Sequence, residues 1–82
     1  MYSFLFSPFA EKQFKKLDKD LQKRILGVLD RIKFRPHSFV KRLVGSPYFR
    51  LRTGNYRIIL DIQNDKLIIV VIELRHRKKI YK

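Results

Sequence analysis

The sequence predicts an α+β domain in which a two-helix hairpin packs on an antiparallel sheet, in the order β-α-α-β-β-β, as a single domain over residues 1–82. Three observations carry this. Apolar residues recur at helical spacing in the first half of the chain, and β-branched and aromatic runs broken by turn residues fill the second. Two helices with one apolar side need a sheet to cover.

The elements follow in order. "YSFLFS", residues 2–7, is a short β-rich run, and Ser7 followed by Pro8 supplies a helix N-cap with proline at the first helical position. Phe9, Ala10, Gln13, Phe14 and Leu17 form the apolar side of that helix, and Asp18 can cap the next. There Leu21, Ile25, Val28, Leu29 and Ile32 make a stripe that runs to about Phe34, and Pro36 ends it. Residues 35–46 are the one irregular connection of any length. "YFRLR", "YRIILDI" and "LIIVVIEL" then read as strands joined through "TGN" and "QNDK".

The first of these hairpins carries three arginines. A two-residue bend at Gly54 and Asn55 pairs Thr53 with Tyr56, Arg52 with Arg57, Leu51 with Ile58 and Arg50 with Ile59. Phe49, Leu51, Tyr56, Ile58, Leu60 and Ile62 then face the helices, while Tyr48, Arg50, Arg52 and Arg57 face away. Like charges directly opposite each other destabilise a sheet by a few tenths of a kcal/mol up to ~1. An anion between them reverses the sign, because guanidinium groups grip phosphate through paired charge-assisted hydrogen bonds. The competing reading is that arginine stems shield apolar surface and splay their heads into water. A three-residue loop before the last strand pairs Arg57 with Glu73 and sets Arg75 on the arginine face; two- or four-residue looping turns Glu73 inward.

Composition bounds the partners. Twenty Lys and Arg against seven acids give a net charge of +13, of which residues 40–82 carry +8. That self-repulsion points to an anionic partner, and nucleic acid is favoured over a membrane because no long amphipathic basic helix is present. Without cysteine, and with two histidines far apart, neither a disulfide scaffold nor a metal motif is expected. Asp61, Asp65 and Glu73 are too dispersed to bind a divalent ion, so no metal and no cofactor are expected. Pro8, Glu11 and Lys12 interrupt the early hydrophobic residues, so neither a leader peptide nor a membrane span is expected, and the expectation is a soluble, cytoplasmic protein.

"LVGSPYFRLRTGNYRIILDI" followed by "IIVVIELRHRKKIY" resembles the RelE/ParE superfamily of bacterial and archaeal toxins over nearly the whole chain. Leu43 and Gly45 precede the strand, Leu51, Arg52, Gly54, Tyr56 and Arg57 supply the "LR.G.YR" pattern, and His76, Arg77 and Tyr81 the "HR...Y" end. For RelE-like members the resemblance implies a toxin that cuts messenger RNA in the ribosomal A site and is held inactive by a cognate antitoxin, here an acidic one. ParE-like members share the fold but poison DNA gyrase, and the hairpin pattern does not separate the branches. Arg50, Arg57, Arg77 and Tyr81 are similar to the RelE set and are the expected catalytic residues. A third reading is a basic RNA-binding module without toxicity.

Metal-free RNA cleavage needs the 2′-hydroxyl deprotonated, the phosphorane charge stabilised and the leaving 5′-oxygen protonated. Arg57 and Arg77 suit the second task. Arg50 stands where well-known members resemble one another in using a lysine as base, and arginine cannot be deprotonated in a protein, so the base stays open. Tyr81 can take the proton if guanidinium groups stabilise its phenolate, or it can stack on a base; His76 is the other candidate. Lys41, Arg42, Arg52, Arg75, Lys78 and Lys79 fit RNA-backbone contacts, and Tyr48 can stack on a base.

Overall fold

The structure is a computed structural model and describes residues 1–76. Strand β1 (Ser3–Phe6) leads into helices α1 (Pro8–Lys15) and α2 (Lys19–Ile32). A 3-10 turn over Pro36–Ser38 and a short strand β2 (Lys41–Arg42) precede β3 (Phe49–Thr53), β4 (Tyr56–Gln63) and β5 (Ile68–His76). This is the expected α+β class and element order. The addition is β2, two residues inside the irregular connection, too short to leave a pattern in the sequence.

Both helices start where the capping residues place them. The backbone of Ser7 is extended, and its Oγ accepts from the Ala10 amide at 3.1 Å. The same hydroxyl donates to the Ile72 carbonyl at 3.0 Å, so one side chain ties the helix start to β5. Asp18 Oδ1 accepts from the Leu21 amide at 2.9 Å. These side chains satisfy amide donors that the first helical turn leaves unpaired.

Ala10 of α1 and Ile25, Leu29 and Ile32 of α2 pack on Leu51, Ile58, Leu60, Ile62, Ile69, Val71 and Leu74 of the sheet. Phe14, Leu17, Leu21 and Val28 pack partly against this core. Phe9, expected on the apolar side, is 58% exposed. Adjacent helical residues point about 100° apart, and it is the small, fully buried Ala10 that turns to the sheet. Phe34 is likewise exposed, because α2 ends at Ile32.

The sheet order is β1-β5-β4-β3-β2. Four strands are antiparallel, and β1 joins the edge in parallel to β5, Ser3 opposite Ile68 through Phe6 opposite Val71. A parallel neighbour requires a crossover, which the two helices form a part of. Beyond Phe6 the edge of β5 is continued by Gln13. Its Nε2 donates to the Leu74 carbonyl at 2.9 Å and its Oε1 accepts from the Leu74 amide at 2.7 Å, so a side-chain amide does what a neighbouring strand would do.

All four predicted pairings of the β3–β4 hairpin are present. The β4–β5 connection differs from expectation. Its turn runs through residues 64–67, with Leu67 at φ 55, and Gln63 opposes Ile68. Four-residue looping alone would turn Glu73 to the core. A bulge corrects this: Leu60 opposes Val71 but Ile59 opposes Glu73, so Ile72 is the extra residue. Arg57 therefore faces Arg75, not Glu73 as a three-residue loop predicts, and both Glu73 and Arg75 keep to the side away from the helices.

Candidate nucleic-acid interface

The sheet face turned away from the helices carries the basic groups in two rows. Arg52, Arg57 and Arg75 are successive cross-strand neighbours on β3, β4 and β5. Lys41, Arg50, Ile59 and Glu73 form the next row, on β2 to β5. Strands lie about 4.8 Å apart, so the three arginines of the first row are anchored across about 10 Å. Alternation along the β3–β4 hairpin puts Arg52 and Arg57 on one side, and the bulge at Ile72 brings Arg75 into line with them.

Arg57, in the middle, is the most constrained. Its Nε is buried, and among the described residues it finds no hydrogen-bond acceptor. A buried donor without an acceptor carries a desolvation penalty that an anionic oxygen relieves. Arg75 differs, since its Nε lies 3.1 Å from Glu73 Oε1, with both side chains partly exposed. Glu73 is thus a carboxylate set beside the arginine row. Ile59 is only 2% exposed although no described helix covers this face, and its neighbours on either side are Arg50 and Glu73, whose long stems can shield it. Shielding and anion binding are therefore compatible roles for these side chains.

At the β2 side of the face, Phe39, Lys41, Arg50 and Arg52 line a groove of about 250 Å³. Phe39 is 50% exposed and stands two residues before Lys41. Sequence reasoning passed over it, and the available signal was an aromatic residue two positions from a lysine in an otherwise irregular segment. Tyr48, directly before β3, is exposed.

Two residues expected at the interface lie on the other side of the sheet. Arg42 opposes Phe49, and its guanidinium sits 4.8 Å from that ring's centroid. His76 opposes Tyr56, which packs against the core, and meets its ring edge-on at 4.9 Å. Strand alternation separates each from its neighbour, Arg42 from Lys41 and His76 from Arg75. Arg77, Lys78, Lys79 and Tyr81 lie outside the described residues. Among the described residues no group of three or more His, Asp or Glu stands together to hold a metal ion, and no helix is long and apolar enough to cross a membrane.

The two-helix hairpin on a mixed sheet is shared with known proteins. The family model for the ParE toxin of type II toxin–antitoxin systems matches residues 4–81. The chain belongs to this toxin family. Solved structures place its fold in the wider RelE/ParE superfamily. The RelBE2 toxin–antitoxin complex from Mycobacterium tuberculosis contains a chain 22% identical to this toxin with a TM-score of 0.82, covering 93% of this chain and 98% of that one. The isolated RelE toxin of E. coli is similar at 20% identity with a TM-score of 0.80, covering 99% and 92%. A RelB–RelE complex from Methanococcus jannaschii is similar at 27% identity with a TM-score of 0.72, covering 95% of each chain. Among curated proteins no sequence matches this toxin significantly.

Proposed function

We propose that this toxin is a ribosome-dependent endonuclease that cuts messenger RNA in the A site by metal-independent attack of the 2′-hydroxyl. The observation that supports this most is the row Arg52–Arg57–Arg75, three permanent charges side by side on a face the helices leave open. Such a row does not stabilise the fold by itself and is suited to a backbone phosphate and to the extra charge of its phosphorane. Arg57 and Arg77 stabilise that charge, Arg50 holds an adjacent phosphate, and Tyr81 takes or gives the proton. Glu73, beside Arg75, is the alternative proton acceptor. Little cleavage of free RNA is expected, since so sparse a site relies on the ribosome for positioning.

The partner that restrains it is proposed to be an acidic antitoxin whose carboxylates lie over the arginine face. The presence of similar chains within toxin–antitoxin complexes supports this. The match to the ParE family model favours a second reading, a gyrase inhibitor without nuclease activity. One experiment divides them: messenger 5′ ends are mapped in a translating lysate, with gyrase supercoiling assayed in parallel. Codon-phased cuts that vanish with Arg57→Ala support the nuclease; intact messages with blocked supercoiling overturn it.

A further inference from the structure

The groove beside the arginine rows has a chemistry of its own. Phe39 presents half of its surface to solvent, and Lys41, Arg50 and Arg52 line the same groove of about 250 Å³. Lys41 and Arg50 are cross-strand partners, and Arg50 and Arg52 alternate along β3, so all three point to the outer face. An exposed phenylalanine is not an anion ligand, and three cations need no apolar neighbour to hold a phosphate. The pair of features suits one kind of molecule, a flat apolar ring attached to a negatively charged chain. Single-stranded nucleic acid is recognised in this manner, with bases on aromatic side chains and phosphates on Lys and Arg.

We propose that this groove is a nucleotide subsite, in which Phe39 is the platform for one RNA base while Lys41, Arg50 and Arg52 hold its flanking phosphates. It rests on the reading of the arginine face as an RNA site and extends it. The scissile phosphate lies at Arg57, in the row that continues from Arg52, and the stacked base belongs to a nucleotide flanking the cut. Stacking accepts any base, so Phe39 contributes affinity and positioning with little sequence preference.

The toxin contains no tryptophan, so Phe39→Trp places a single tryptophan, excited selectively over the tyrosines, at the platform. A short single-stranded RNA added at low salt is expected to quench this fluorescence to saturation, with Arg50→Ala weakening the titration. Phe39→Ala and Phe39→Leu are expected to lower the affinity for a labelled RNA of the same sequence by roughly five- to a hundredfold, and Phe39→Trp to retain it. All three variants should keep the wild-type circular dichroism and melting temperature, since position 39 is half exposed. Labelled RNA that binds with equal affinity to wild type and Phe39→Ala, and leaves Trp fluorescence at position 39 unchanged, overturns the subsite but leaves the RNA face standing. Failure of the wild type to bind RNA at low salt overturns both. Quenching by an acidic peptide and not by RNA assigns the groove to a protein partner and overturns the proposal.

Discussion

Arg57 stands between two other arginines on the strands either side of it, and its Nε lacks an acceptor among the described residues. The like charges on either side of it do not stabilise the fold, so removing this charge should have opposite effects on stability and on binding. Arg57→Gln is expected to leave the melting temperature unchanged or raise it, by relieving repulsion worth a few tenths of a kcal/mol up to ~1. The same change should abolish message cleavage in a translating lysate. A variant that both melts earlier and loses activity would instead mark Arg57 as a structural residue. Gln13 is the converse case. Its amide makes both hydrogen bonds to the Leu74 backbone, so Gln13→Ala should destabilise by about 1–3 kcal/mol in chemical denaturation. Gln13→Glu should be no better, because a carboxylate cannot donate to the Leu74 carbonyl. In the sequence Gln13 is only a polar residue on an apolar stripe; its role depends on β5 ending up beside α1, which no local pattern announces.

At the scale of elements, the caps and the hairpin are the best-specified parts. Ser7 and Asp18 precede apolar runs and bond the amides three residues on. Ser7→Ala is expected to lower stability by about 0.5–2 kcal/mol, towards the upper end because the Ile72 carbonyl also loses its partner. The β3–β4 register was legible because a one-residue slip would place an arginine in the core. The position of β5 was not legible to the same degree, because its turn and its bulge each shift the side-chain alternation and their effects compensate. Deleting Ile72 tests this directly. Glu73 then follows Val71 directly and still opposes Ile59, with Arg75 opposite Arg57, so the folded circular dichroism spectrum should be kept, whereas one alanine inserted between Glu73 and Leu74 should turn Arg75 to the core and abolish it. Loss of folding on deleting Ile72 would assign the residue a packing role beyond register.

For the whole molecule, a net charge of +13 acts on stability and on binding with opposite signs. Added salt screens the self-repulsion and should raise the melting temperature, while weakening RNA binding. With three to four phosphates engaged, the logarithm of RNA affinity should fall against the logarithm of salt concentration with a slope of about 2–3. Salt-independent binding would show that the basic face is not the contact. The sequence by itself determined the fold class, the element order, the core stripe of Ile25, Leu29 and Ile32 and the two-faced hairpin, because each is written in local periodicity and turn chemistry. It also supplied the superfamily, through short patterns around Arg52, Gly54, Tyr56 and Arg57. Only the tertiary structure decided that β1 runs parallel to β5, that Arg75 joins Arg57, that His76 and Arg42 turn to the other face, and that Phe39 stands beside Arg52. The reason is physical. Periodicity fixes which side of its own strand a residue takes, but its neighbours are set by crossover direction, loop length and bulges, which depend on how distant segments share one core.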